Sequence, residues 1–237
     1  MKTEKVSLVA ELVQCIGQDN RVVSLTGGGG KTTVMVALAS YLKKCGYSVL
    51  LSTTTSIPSQ TLFDYGADVV LTNESDFFTY EPHKGDVVLY AEKHVMDYKR
   101  FYSPREEILP FLSKKYDYLL LIADVSKNLP LVKHREEYPR IASFSKAVIA
   151  VVGMSCFGKL SDDMCLGEDH KEKVDEIYLQ SLFDNAQGCL KGLESCNHAV
   201  VLLNQCDVLQ EEQLAQVKRV KSSYKIVYGS VEQDCMY

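Results

Sequence analysis

The chain has 237 residues, of which 46% are hydrophobic and 24% charged, enough to bury a sizeable core in one domain. Its formal net charge is −5, and its longest Lys/Arg-containing cluster is YKR at 98–100, which argues against nucleic acid as a partner because phosphate-backbone affinity needs clustered cations. No segment reaches the length of a membrane span, so no membrane association through a spanning helix is expected.

Taken in order, the opening segment MKTEKVSLVAELVQCIGQDN places Val6, Val9, Val13 and Ile16 on one face of an amphipathic helix, with Glu11 interrupting any apolar core. It reads as structure and not as an export signal, and the expected location is cytoplasmic. Short apolar runs follow: VVSLT at 22–26, SVLLSTTT at 48–55, DVVLYA at 86–91, DYLLLIAD at 117–124, AVIAVVG at 147–153 and AVVLLNQCD at 199–207. Weaker runs are ADVVLT at 67–72 and KIVYG at 225–229. Most are continuously apolar, the pattern of strands covered on both faces.

Helical periodicity fills the intervals. Residues 31–45 align Val34, Leu38, Tyr41, Leu42 and Cys45; residues 171–184 align Val174, Ile177, Tyr178 and Leu182; residues 210–221 align Leu214, Val217 and Val220. Strand alternating with helix predicts an α/β fold, a doubly wound and mostly parallel sheet of P-loop NTPase type with flanking helices and ligands at the carboxyl ends of its strands. Residues 1–237 read as a single nucleotide-binding domain, and the long interval at 154–197 as an insertion or lid.

The first strand runs into TGGGGKTT, a glycine-rich loop at a predicted helix start. Ordering four consecutive glycines is costly, and a loop whose bare amides approach phosphate oxygens gives that cost a purpose. In this reading Gly27, Gly28, Gly29 and Gly30 form the cradle, with amides from Gly28 to Lys31 converging on a phosphate. Lys31 reaches the β- and γ-phosphates, Thr32 holds Mg²⁺ through its hydroxyl, and Thr33 meets the α-phosphate. Leu25 stands where the strict pattern has glycine, so the loop is a variant, and Thr26 replaces the lysine of a dimer-bridging type.

A metal-binding carboxylate is expected at a strand end, and Asp124 closes DYLLLIAD. Thr53, Thr54 and Thr55 lie at the end of the second strand, as switch hydroxyls or as ordinary strand formers. Asn204 and Asp207 have the N-x-x-D spacing that reads guanine, with Gln205 in place of lysine, so ATP and GTP both stay open. Beyond Asp124, the loop SKNLPLVKHREEYPRI offers Lys127, Lys133, His134 and Arg135 as a clamp for an anionic acceptor, or as a solvated charge run. Lys31, Asp124 and Lys127 are the candidate catalytic residues.

The eight cysteines contain no C-x-x-C pair and read as small buried hydrophobes. The grouping of Cys156, Cys165, Cys189 and Cys196 leaves soft-metal or selenium chemistry as the minor alternative. His83, His94, His170 and His198 show no metal-ligand spacing.

The ordered set TGGGGKTT, STTTSIPS, ADVSKNLPLVKHREEYP, VVGMSCFGK and LNQCD resembles the YqeC family over approximately residues 10–210. Ile122, Val125 and Val132 stand where that family carries an acidic residue, a glycine and a lysine. The resemblance implies a nucleotide-dependent accessory role in the maturation of selenium-dependent molybdenum hydroxylases, with the hydroxylase or its cofactor as partner. The cofactors implied are Mg²⁺ and ATP or GTP. Two readings are carried forward: an Mg²⁺-dependent NTP hydrolase or transferase, and a nucleotide-responsive delivery module with little turnover. A carboxylate–amine ligase ranks behind both, because the tail after residue 210 is short for a substrate domain. Oligomeric state stays open, a homodimer included.

Overall fold

The computed structural model describes residues 6–17, 19–94, 96–105 and 107–237. The opening elements are α1 (Leu8–Ile16), β1 (Val22–Gly27), α2 (Lys31–Lys44), β2 (Val49–Thr53), β3 (Ser56–Pro58), β4 (Val69–Leu71) and α3 (Glu74–Thr79). The middle of the chain forms β5 (Val87–Tyr90), β6 (Glu92–His94), β7 (Asp97–Tyr102), α4 (Leu109–Lys115), β8 (Tyr118–Ile122), β9 (Leu131–Val132) and β10 (Ala147–Gly153). The last third adds α5 (Ser161–Met164), β11 (Cys165–Leu166), α6 (Glu176–Asp184), β12 (His198–Asn204), α7 (Glu211–Val217), β13 (Lys225–Ser230) and β14 (Cys235–Met236).

Among the described residues, nine strands form one sheet in the order β14-β13-β12-β10-β1-β8-β2-β5-β4. Every pairing in it is parallel except β13 with β14. The expected doubly wound α/β class is what the chain adopts. β1 lies near the middle, flanked by β10 and β8, and its six residues are all buried.

Alternation within the central strands assigns the layers. Val23 and Leu25 of β1, Ile149 and Val151 of β10, and Leu120 and Ile122 of β8 join one core with α1 and α2. The opposite faces of β10 and β12 pack with Tyr178, Leu179 and Leu182 of α6 and Val217 of α7, and those of β8 and β5 with Phe77 of α3 and Leu112 of α4. Between these two clusters the face of β1 carries Ser24, whose hydroxyl bonds that of Ser145 at 2.8 Å. A buried polar pair satisfied in this way parts two apolar patches without leaving an orphan group.

Two smaller sheets lie beyond the main one. β3, β7 and β6 form an antiparallel trio in the order β3-β7-β6, and β9 pairs with β11 in parallel. Within 154–197, α6 supplies a crossover between β10 and β12 and buries Leu182 and Phe183, with Val174 just before it, in the core on that face of the sheet.

Several periodicity assignments shift in detail. α1 buries Leu8 and Leu12 beside Val9, Val13 and Ile16, while Val6 precedes the helix and is exposed; residues 1–5 of that segment lie outside the described residues. Ser7 caps α1 by accepting from the Ala10 amide at 3.2 Å, and donates its own hydroxyl to Asp234. In α6 Ile177 is 78% exposed, because the helix begins only at Glu176 and turns Tyr178 and Leu179 inward. Among the described residues no helix is long and apolar enough to cross a membrane.

Candidate functional site

β1 ends at the carboxyl edge of the sheet, where β8 places Asp124 two residues beyond its own last position. Gly27, Gly29 and Gly30 have φ of 87°, 74° and 112°, a region that glycine enters without steric cost. Close approach adds a second requirement. A Cβ on Gly28 would lie 2.4 Å from the Leu129 carbonyl oxygen, and one on Gly29 would lie 2.2 Å from the Gly153 Cα. The loop is therefore clamped between the segment after Asp124 and the end of β10.

Its amides divide into two groups. Gly27 N–H donates to Asp124 Oδ2 at 2.6 Å, Gly28 N–H to the Val151 carbonyl at 2.8 Å, and Gly29 N–H to the Leu129 carbonyl at 3.1 Å. These three fix the loop's shape. The next group is the first turn of α2, whose Lys31, Thr32 and Thr33 amides have no carbonyl one turn back; the helix ladder starts with Val34 N–H to the Gly30 carbonyl at 2.9 Å. The amides left free at this edge are therefore those of the helix's first turn, while those of Gly28 and Gly29 are taken up within the protein.

Lys31 is 6% exposed, and its ammonium donates to the Gly27 carbonyl and sits 2.8 Å from Asp124 Oδ1. Asp124 is 1% exposed; Oδ2 takes the Gly27 amide, while Oδ1 has the Lys31 ion pair but no aligned hydrogen bond. His134 lies against the same carboxylate, with Nδ1 3.7 Å from Asp124 Oδ2, and is 4% exposed with neither ring nitrogen hydrogen-bonded. Burial pushes its pKa from 6.5 down to about 4, overriding the upward pull of Asp124. The imidazole is accordingly neutral at pH 7.

A cavity of about 690 Å³ opens over this group, lined by Lys31, Thr32, Asp124 and Lys127 on one side and by residues of β3 and β7 on the other. Lys127 is exposed, with φ of 50°, immediately beyond the carboxylate. Other members of its charged loop are engaged elsewhere: Lys133 pairs with Glu168, and His134 is sealed inside. Thr53 donates its hydroxyl to the Ile122 carbonyl at 2.9 Å and Thr54 to the Arg140 carbonyl at 2.6 Å, so both brace the strand ends.

Asn204 and Asp207 stand on the other side of the glycine loop. The Asn204 amide donates to the Gly29 carbonyl at 2.9 Å and accepts the Val231 amide at 3.0 Å, tying the loop to the exit of β13. That leaves it one N–H and one lone pair. Asp207 is half-buried, and with Asn204, Gly30 and Thr33 it lines a cavity of about 170 Å³. Gln205 adopts φ of 65° and packs its side chain near Gly153. The candidate residues thus fall on two sides of one turn, Lys31, Thr32, Asp124 and Lys127 at the larger cavity, and Gly30, Thr33, Asn204 and Asp207 at the smaller.

The trio β3-β7-β6 and the burial of His134 were not evident in the sequence. The three aromatics of DYKRFY at 97–102 were the available signal for β7, and none marks His134 as buried. Among the described residues, no group of three or more His, Cys, Asp or Glu is placed to hold a metal ion.

Fold and site together define a doubly wound α/β protein built around a glycine loop that opens a helix beside a buried lysine–aspartate pair. The model of the YqeC family, described as YqeC protein, matches residues 23–168, more than half the chain. The chain belongs to the YqeC family. No curated protein and no solved structure matches it.

Proposed function

We propose that this protein binds a magnesium–nucleoside triphosphate on the glycine loop and uses it as an accessory factor in maturing selenium-dependent molybdenum hydroxylases. Membership of the YqeC family lends support to the maturation role. The observation that carries the nucleotide reading is the conjunction of Lys31, the free first turn of α2 and the Asp124 carboxylate at the mouth of one cavity.

The residues suit a magnesium ion. Thr32 and Asp124 line the same cavity, and Asp124 Oδ1 is a buried oxygen that has the Lys31 ion pair but no aligned hydrogen bond. These two side chains would hold the ion, which would offset charge on the terminal phosphate. Lys31 turns from Asp124 to the phosphate oxygens, the first turn of α2 orients them, and Lys127 supplies a further cation where charge builds up during transfer. The smaller cavity takes the base. ATP and GTP remain rivals there, since Asp207 suits guanine while Asn204 is partly committed to the loop.

A second reading draws on the Lys31–Asp124 pair itself. A nucleotide must break this buried contact to engage Lys31, which suits a module that responds to nucleotide by rearranging and turns over little. The protein would act in the cytoplasm, on a hydroxylase or its cofactor. Titrating the full chain with ATP, GTP and CTP, with and without Mg²⁺, tests nucleotide binding; phosphate release that vanishes in Lys31→Ala and Asp124→Asn separates enzyme from module. Equal, weak binding of all three nucleotides in wild type and Lys31→Ala would sink both.

A further inference from the structure

The larger cavity is too big for the phosphate end of a nucleotide. A terminal phosphate and a metal with its waters occupy roughly 200 Å³ at ~30 Å³ per water-sized group, well under half of about 690 Å³. The remaining space lies toward the β3-β7-β6 trio, and its lining is of two kinds. Part is apolar, made by Ile57, Pro58, Leu62 and Phe63, with Leu62 left 61% exposed. The charged part carries Lys99, Arg100 and Lys127 against a single carboxylate, Asp97, once the Lys31–Asp124 pair is set aside.

Charge and shape together select a ligand class. Two uncompensated positive charges beside an exposed leucine and a phenylalanine suit a small organic anion with an apolar or ring-shaped body. Phe63 is held edge-on to Tyr65, with ring centroids 5.0 Å apart, which fixes a rigid aromatic surface for such a body. Arg100 is anchored by hydrogen bonds to Ser56, so its charge is fixed at the cavity wall by β3.

We infer that the space between Lys127 and the β3-β7-β6 trio is a second ligand site for an amphipathic organic anion, held beside the terminal phosphate of the nucleotide. This deepens the nucleotide reading and rests on it for the neighbour, but the site's own walls come from residues outside the glycine loop.

The probe is 1-naphthyl phosphate, a ring system with a dianionic head, titrated by fluorescence into the full chain loaded with Mg²⁺ and a non-hydrolysable ATP or GTP analogue. Wild type should bind it saturably at one site. Lys99→Glu should weaken it at least tenfold and Leu62→Ser about threefold, with nucleotide affinity unchanged in both. Should no nucleotide bind at all, the nucleotide reading falls, and the same two variants judge the second site on the unloaded chain. Absence of saturable probe binding to wild type, or equal affinity in wild type and Lys99→Glu, overturns this inference whatever the nucleotide result. Crosspeak shifts confined to residues outside 56–63 and 97–100 in a probe titration followed by NMR would overturn it as well.

Discussion

The floor and the roof of the larger cavity are built on opposite physical terms. The floor is built from Gly27 to Lys31 with Asp124, Leu129 and Gly153; all but Gly30 and Leu129 are buried, and Gly27, Gly28 and Gly29 are locked by backbone contacts with no room for a methyl group. The roof is three short strands whose side chains, apart from the buried Ile57 and Phe101, are half-exposed or exposed, held in part by the Arg100–Ser56 hydrogen bonds. A floor of that kind accepts almost no substitution and holds its geometry, whereas a roof of this kind can change its side chains at little cost in stability. Under the proposed function, that difference would put fixed chemistry below and adaptable selectivity above.

The sharpest way to break this contrast is to remove the cation from the floor. Lys31→Met strands a carboxylate that is 1% exposed, and breaking a buried pair costs about 3–5 kcal/mol. Urea unfolding should show that loss, with Lys31→Met/Asp124→Asn recovering much of it. A cost under about 1 kcal/mol would mean that water reaches the pair and that the floor resembles the roof.

Gly29→Ala probes the backbone itself. A Cβ there meets Gly153 Cα at 2.2 Å and must hold φ of 74°, so left-handed strain and overpacking together should cost about 3 kcal/mol. Gly66 is the internal control, with φ of 59° and its nearest neighbour 3.9 Å from an added Cβ. Gly66→Ala should cost only about 1 kcal/mol, the strain without the collision. Equal effects at both would show that conformation alone requires glycine in the loop.

Acidification tests the floor's dryness in a third way. His134 has a folded pKa near 4 against 6.5 unfolded, so between these values the unfolded chain binds more protons and stability rises with pH. Lowering pH from 7 to 4 should therefore cost up to about 3 kcal/mol, and His134→Gln should flatten that part of the profile. An unchanged slope in the variant would place the acid sensitivity elsewhere.

The same contrast explains what could be read from the chain. β1, β8, β10 and β12 announce themselves because burial on both faces demands unbroken apolar runs. Glycine strings and an aspartate at a strand end are equally legible, since few other residues satisfy those positions. The roof left a fainter trace: DYKRFY buries only Phe101, and EKH at 92–94 buries nothing, so neither run is apolar enough to stand out. His134 sits in a run of charges that reads as solvated, and only the fold brings it against Asp124. Partner choice was hidden too. Nothing in TGGGG tells that the amides of Gly28 and Gly29 turn to Val151 and Leu129, which depends on contacts a hundred or more residues away.

The smallest effect belongs to the roof. Arg100 makes three hydrogen bonds to Ser56, from Nε at 3.1 Å and from the terminal nitrogen at 3.0 and 2.9 Å, but both partners are only half-buried. Water can replace such bonds, so Arg100→Ala should cost about 1 kcal/mol in urea unfolding. The loss should also be local: amide exchange should quicken across residues 56–58 and 100–102, where β3 pairs with β7, and stay unchanged in β1 and β8. If the variant instead lost 3 kcal/mol and loosened β1, the trio would be part of the same cooperative unit as the glycine loop. Side chains of the trio could then not change without disturbing the glycine loop beneath them.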